Sequence, residues 1–224
     1  MIPTRLRSLS SVLLLATIAA GCGDKAPPEA RLLVLDGIEV RLDEVEPFVA
    51  FLDESVPEGG RKTKIQRVLE EQILPLKLAQ RAFPAERKAL RERAEQLRSV
   101  ATNAHELEQQ STAIKDKRRA KFPRLHAKLP VAMFLFRLEN LGSVSQPIEL
   151  PEGFAVVGSF DAMQHQLALE DSVDALEVAF FTHVGADWRA WLDAEQARVA
   201  DKLTFVHPDY RFALPSWIHP PKQP

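Results

Sequence analysis

The hydrophobic positions change period within the first fifty residues after Arg31. From Leu33 to Val40, the apolar runs Leu33-Val34-Leu35 and Ile38…Val40 flank Asp36-Gly37. An Asp-Gly pair between apolar runs is the strongest short hairpin signal, because a type I′ turn requires positive φ at both central residues. The spacing then becomes helical. Val45, Phe48, Val49 and Leu52 fall on one face, with Asp43 as N-cap and Glu44 and Glu46 in a first turn whose dipole favours acids. A Pro57-Glu58-Gly59-Gly60 break follows, and Ile65, Val68, Leu69, Ile73 and Leu76 mark a second helical stripe. Pro75 lies inside that stripe and predicts a kink or a break, since proline removes an N–H and clashes with the preceding turn. Phe83-Pro84 ends the element.

Residues 85–120 contain neither glycine nor proline and are rich in good helix formers. Leu90, Ala94, Leu97, Ala101, Ala104 and Leu107 form a narrow seam, read as one long helix or as a hairpin broken near Thr102-Asn103. Lys115 to Lys121, with Arg124, is a basic run. It reads as a solvated helix end or as a surface for anionic headgroups. Farther on, the dense apolar run Ala175–Phe181 predicts a central strand, and Asp187 caps a helix through Ala200. Leu203–Val206 predicts a further strand, and the two strands around that helix suggest a βαβ-type addition to one sheet. Asp161 to Leu169 reads as a polar strand or a helical turn. The pattern as a whole is that of an α+β chain.

The first 21 residues have a different character. Arg5 and Arg7 precede the apolar stretch Leu13–Ala20, which is too short to span a bilayer. It ends in Ala19-Ala20-Gly21-Cys22, which looks like a bacterial lipobox with alanine in place of the usual leucine. That likeness implies cleavage before Cys22, the only cysteine in the chain, and a diacylglycerol on its thiol. Several acyl chains make such anchoring stable. Gly23 favours the outer membrane where a cell has one. Loss of the leader removes two arginines and leaves 27 basic against 31 acidic residues. That balance argues against nucleic acid, which needs a basic face. Residues 22–30, with Pro27-Pro28, read as a tether.

Two blocks carry a resemblance. Val34, Gly37, Val40, Leu42 and Glu44, then Leu69, Ile73, Leu76, Leu78 and Ala79, resemble the N-terminal segment of SurA- and PrsA-type periplasmic foldases. Downstream, Ala132, Phe134 and Leu138 lead to Gly142, Val144, Ser145, Pro147, Gly153, Phe154, Val156 and Val157. That order is similar to the closing half of a parvulin-type (PpiC-like) peptidyl-prolyl isomerase domain. The resemblance implies a helical region with a small hairpin over 31–121. It further implies a degenerate parvulin-like mixed sheet with flanking helices and a C-terminal extension over 122–215, then a disordered tail over 216–224. The departures bear on chemistry. The family's strand histidine is Ala155 here, and its opening strand and glycine-rich loop are missing. Lowering a prolyl barrier of roughly 20 kcal/mol needs a preorganised pocket. The resemblance therefore implies a domain without efficient catalysis.

Other chemistry has no pattern behind it. Asp161 and His165 share i, i+4 spacing, and His183 and His207 end predicted strands. No H-x-x-x-H pair or thiolate cluster accompanies them, so no metal and no cofactor are expected. There is no G-x-S-x-G. Phe180, Phe181, Trp188 and Trp191 read as core residues. The expectation is an exported lipoprotein on the periplasmic side of the outer membrane or on the envelope surface, anchored through Cys22. It would bind unfolded or proline-containing client proteins through Phe48, Phe51, Leu125, Leu129, Phe134 and Phe154. Two alternatives stand beside it: an active peptidyl-prolyl cis-trans isomerase, and an assembly lipoprotein that binds one folded partner.

Overall fold

Strands β1 (Arg31–Leu35) and β2 (Ile38–Arg41) form an antiparallel hairpin closed by Asp36 and Gly37, whose φ angles are 49° and 78°. Both central residues thus adopt the positive φ that the turn demands. The computed structural model describes residues 31–56, 58–124, 126–163 and 171–219. Cys22 with its leader and tether, Pro57, Leu125, His165 and the last five residues of the tail lie outside that range. Among the described residues no helix is long and apolar enough to cross a membrane.

Helix α1 (Leu42–Ser55) follows β2 without a loop. Arg41, not Asp43, therefore takes the cap position, and its backbone N–H donates to Glu44 Oε2 at 2.8 Å. Asp43 sits in the first turn instead, paired with the Arg41 guanidinium at 3.0 Å. Helix α2 (Arg61–Val68) runs through a π turn at Leu69–Ile73 into α3 (Leu74–Ala82). The expected disturbance at Pro75 takes this form. The turn upstream widens so that the Leu74 N–H reaches the Leu69 carbonyl, five residues back. Helix α4 (Pro84–Val100) ends where a break is expected, and α5 (Ala104–Gln110) starts on a reciprocal cap. Asn103 Oδ1 accepts from the Glu106 N–H at 3.0 Å, while the Glu106 carboxylate accepts from the Thr102 N–H and hydroxyl at 2.7 Å.

The basic run is not a helix end. Lys117–Pro123 is strand β3, at the edge of a four-stranded sheet ordered β3-β6-β5-β4. Its side chains alternate, with Phe122 buried and the cations exposed, and charged side chains are a common guard for an open edge. The next helix, α6 (Leu129–Leu135), opens with Pro130 in its first turn. Strands β4 (Ile148–Leu150), β5 (Gly153–Met163) and β6 (Ser172–Phe181) complete the sheet, with β6 in a central place. Phe154 and Val156 face α4 and α5 in one core with Leu176, Val178 and Phe180. Ala155 and Val157 face α6 in another, with Val173 and Ala175. Burial on both faces explains the near-continuous apolar runs of β5 and β6.

Helix α7 (Trp188–Val199) and strand β7 (Leu203–Val206) do not extend that sheet, as the βαβ reading expected. Instead β7 returns to the start of the described chain and pairs antiparallel with β1, Leu33 opposite Val206 and Val34 opposite Phe205. A second sheet results, ordered β2-β1-β7. Its core joins Leu33, Leu35 and Val40 to Val49, Leu69, Leu74, Leu192 and Val199. The C-terminal arm belongs to this core as well. Ile218 is buried in it and Trp217 packs against it, so residues 216–219 are ordered where a tail is expected. The fold is α+β. Every strand pairing among the described residues is antiparallel, so the expected mixed sheet does not form.

Candidate functional site: a groove along helix α7

Helix α7 buries Leu192, Gln196 and Val199, positions that recur at i, i+4 and i+7. Two of these are aliphatic and one is an amide. Opposite lies the π turn, with its own stripe of Leu69, Gln72 and Ile73 buried. Each helical surface therefore carries one glutamine within an apolar stripe.

Two adjoining clefts run between these surfaces and share Glu70 and Arg189 on their rims. The first has a volume of about 470 Å³ and is walled by Gln72, Pro75, Leu129, Pro151, Trp188 and Leu192. The second, about 610 Å³, runs beside Gln196, Ala197, Ala200 and Trp217 to His219. Together they form one groove following α7 from its first turn to its end. Gln72 is 3% exposed and Gln196 9%. Neither amide makes a side-chain hydrogen bond to the protein among the described residues. The indole Nε1–H of Trp217 is fully buried without an acceptor, whereas no amide atom of either glutamine is both fully buried and unpartnered. A buried polar group without a partner costs about 1–3 kcal/mol, which applies here to the Trp217 N–H, while the two amides remain free to bond a ligand. A glutamine amide offers both a donor and an acceptor, which matches the peptide unit.

The charges around the rim are mostly paired. Lys128 is bound to Glu152, Glu71 to Arg67 at 2.9 Å, and Arg189 to Asp193 at 2.9 Å. Glu70 and Asp201 have no ion-pair partner among the described residues. Among the described residues the groove therefore has an uncompensated negative charge.

An ionic cluster holds α7 against α3 and the hairpin. Asp36 accepts from Arg81 at 3.0 Å and pairs with Arg198 at 3.1 Å and Lys202 at 3.7 Å. Glu195 binds Arg198 at 2.7 Å and Arg81 at 3.3 Å. Burial pushes the Asp36 carboxyl up, but Lys202, Arg198 and Arg81 outweigh it and hold it below its ordinary value of 3.8. The Arg198 hydrogen bond, seconded by Arg81, does the same for Glu195.

The residues expected to bind clients do not share a surface. Phe48 packs against the β1–β2–β7 core, and Phe51 lies between that core and the one beneath α6. Phe134 belongs to the α6 core and Phe154 to the α4–α5 core, where Arg87 lies over its ring at 5.4 Å. Leu129, 6% exposed, lines the first cleft and reaches the groove. Gln72 and Gln196 escape a reading of the sequence, although each stands as a polar interruption in an apolar stripe.

The expected core tryptophans and phenylalanines also divide. Phe180 is buried under α4, whereas Trp188 and Trp191 stack near Phe83 in the other half of the molecule. Ala155, where the parvulin pattern has histidine, is fully buried in the α6 core. The Ser145 hydroxyl accepts from the Val157 N–H at 2.9 Å and has a structural role. Among the described residues no three His, Cys, Asp or Glu side chains gather as metal ligands. His183 contacts Glu86 at 2.7 Å on the exposed surface, far along the chain from His207. Comparison with family models, curated proteins and solved structures returns no match to this chain.

Proposed function

We propose that this is an exported, lipid-anchored protein that binds extended segments of unfolded client polypeptides and holds them without covalent chemistry. The observation that carries this reading is the pair of amides without protein partners among the described residues, Gln72 and Gln196, that line one groove among apolar walls. An extended chain supplies what the groove lacks: backbone N–H and C=O groups for the amides, and apolar side chains for Pro75, Leu129, Trp188 and Leu192. The resemblance to foldases favours the same activity. The isomerase alternative has less behind it, because the position of the family's strand histidine is a buried alanine.

The test is suppression of aggregation of a denatured exported protein, followed by light scattering. The chain from Gly23 onward, which retains every described residue, should suppress it at several-fold excess. Replacing Gln72 and Gln196 together by leucine should abolish suppression while the melting temperature holds, because neither amide has a hydrogen bond to the described residues to lose. Suppression unaffected by that variant would remove the groove from the mechanism. The anchor is tested separately: labelled fatty acid should be incorporated into the full chain and not into its Cys22→Ser variant.

A further inference from the structure

The groove is not neutral, and its charge has a pattern. Of the carboxylates that line it, Glu71, Glu152 and Asp193 are each matched by a cation, and both lining cations, Lys128 and Arg189, are used in that matching. Glu70 and Asp201 remain without an ion pair among the described residues. Glu70 stands where the two clefts meet, and Asp201 lies just beyond the C-terminus of α7. Helix carbonyls at that end add partial negative charge of their own. The apolar walls are concentrated at the opposite end, around Trp188, Leu192 and Leu129.

We infer that the groove selects extended segments whose apolar side chains are followed by lysine or arginine. This inference rests on the client-binding reading and names the class of client it takes. The α7 face from Trp188 to Asp201 spans about 20 Å at 1.5 Å per residue. An extended strand covers that length with about six residues at 3.3 Å each. Apolar side chains fill the Trp188 end, the two glutamine amides satisfy the backbone, and cationic side chains meet Glu70 midway and Asp201 at the far end. A partly buried Glu70 and an exposed Asp201, both without an ion pair among the described residues, give a preference of modest size, sensitive to salt.

The experiment uses fluorescence anisotropy with three labelled octapeptides of one apolar pattern. They carry lysine, glutamine or glutamate at the two positions after the apolar residues. The chain from Gly23 onward should bind the lysine peptide about tenfold more tightly than the glutamate peptide, with the glutamine peptide between them, and added salt should narrow the range. The double variant Glu70→Gln/Asp201→Asn should bring the three affinities together. Removing two carboxylates elsewhere, by Glu54→Gln on α1 and Glu92→Gln on α4, should preserve their order, which separates a local effect from net charge. Equal affinity of all three peptides for the unaltered chain would overturn the selection and leave client binding standing. Absence of binding by any of them would overturn the client reading itself. A lysine preference that survives Glu70→Gln/Asp201→Asn would show that the preference lies outside the groove.

Discussion

The two sheets are built by opposite strategies. The four-stranded sheet is assembled from one continuous stretch, residues 117–181, and is covered on both faces by α4 with α5 and by α6. The three-stranded sheet is short, has register shifts on both sides of β1, and is completed by a strand about 170 residues away. The first sheet closes over its own surfaces. The second draws α7 across the molecule to meet the π turn, and the groove is the seam that this return leaves. The candidate site is therefore a product of long-range pairing, while the locally built sheet serves as its support.

Perturbing either sheet should reveal this division. The largest effect is expected from Leu33→Ala, which removes a fully buried side chain at the point where β1 meets both neighbours. Truncating a buried leucine costs about 2–5 kcal/mol. Urea denaturation should register that loss, and hydrogen exchange should show lost protection spreading to β7 and α7. Gly153→Ala should strike the other sheet. An added Cβ there would lie 1.9 Å from the Phe180 carbonyl oxygen, and backbone cannot yield as a flexible side chain does. About 1–3 kcal/mol of destabilisation is expected from overpacking. Faster exchange should be confined to β4, β5 and β6, with α7 protected as before.

The smallest effect concerns pH. The Asp36 and Glu195 carboxyls are held below their ordinary values of 3.8 and 4.5, so their contribution is fully present above those values. It is lost as pH falls through the lower, folded-state values. Asp36→Asn should thus lower the melting temperature at neutral pH. The gap from the unaltered chain should narrow progressively in acid below about pH 4. A gap of constant size across that range would show that the Asp36 charge does not couple α7 to the hairpin.

The features legible in the sequence were those with local causes. The β1–β2 turn follows from an Asp-Gly pair, and the break before α5 follows from Thr102-Asn103 with Glu106 in reach. The centrality of β6 follows from its apolar density. The basic run around Lys117 reads as a helix end because its residues favour helix as readily as strand, and pairing with β6 decides the outcome. The partner of β7 has no local signal, since Leu203–Val206 would suit either sheet. The groove was hidden for the same reason. A glutamine in a helix is ordinary, and only the fold brings Gln72 and Gln196 to one seam while sending Phe48, Phe134 and Phe154 to three separate cores.

The pairing of β1 with β7 also sets an order of events. A chain growing from its N-terminus can form its hairpin and the four-stranded sheet early. It cannot complete the first sheet until Leu203–Val206 has arrived. The groove along α7 would then appear late and all at once, so that a partly made chain has no such seam to offer its neighbours.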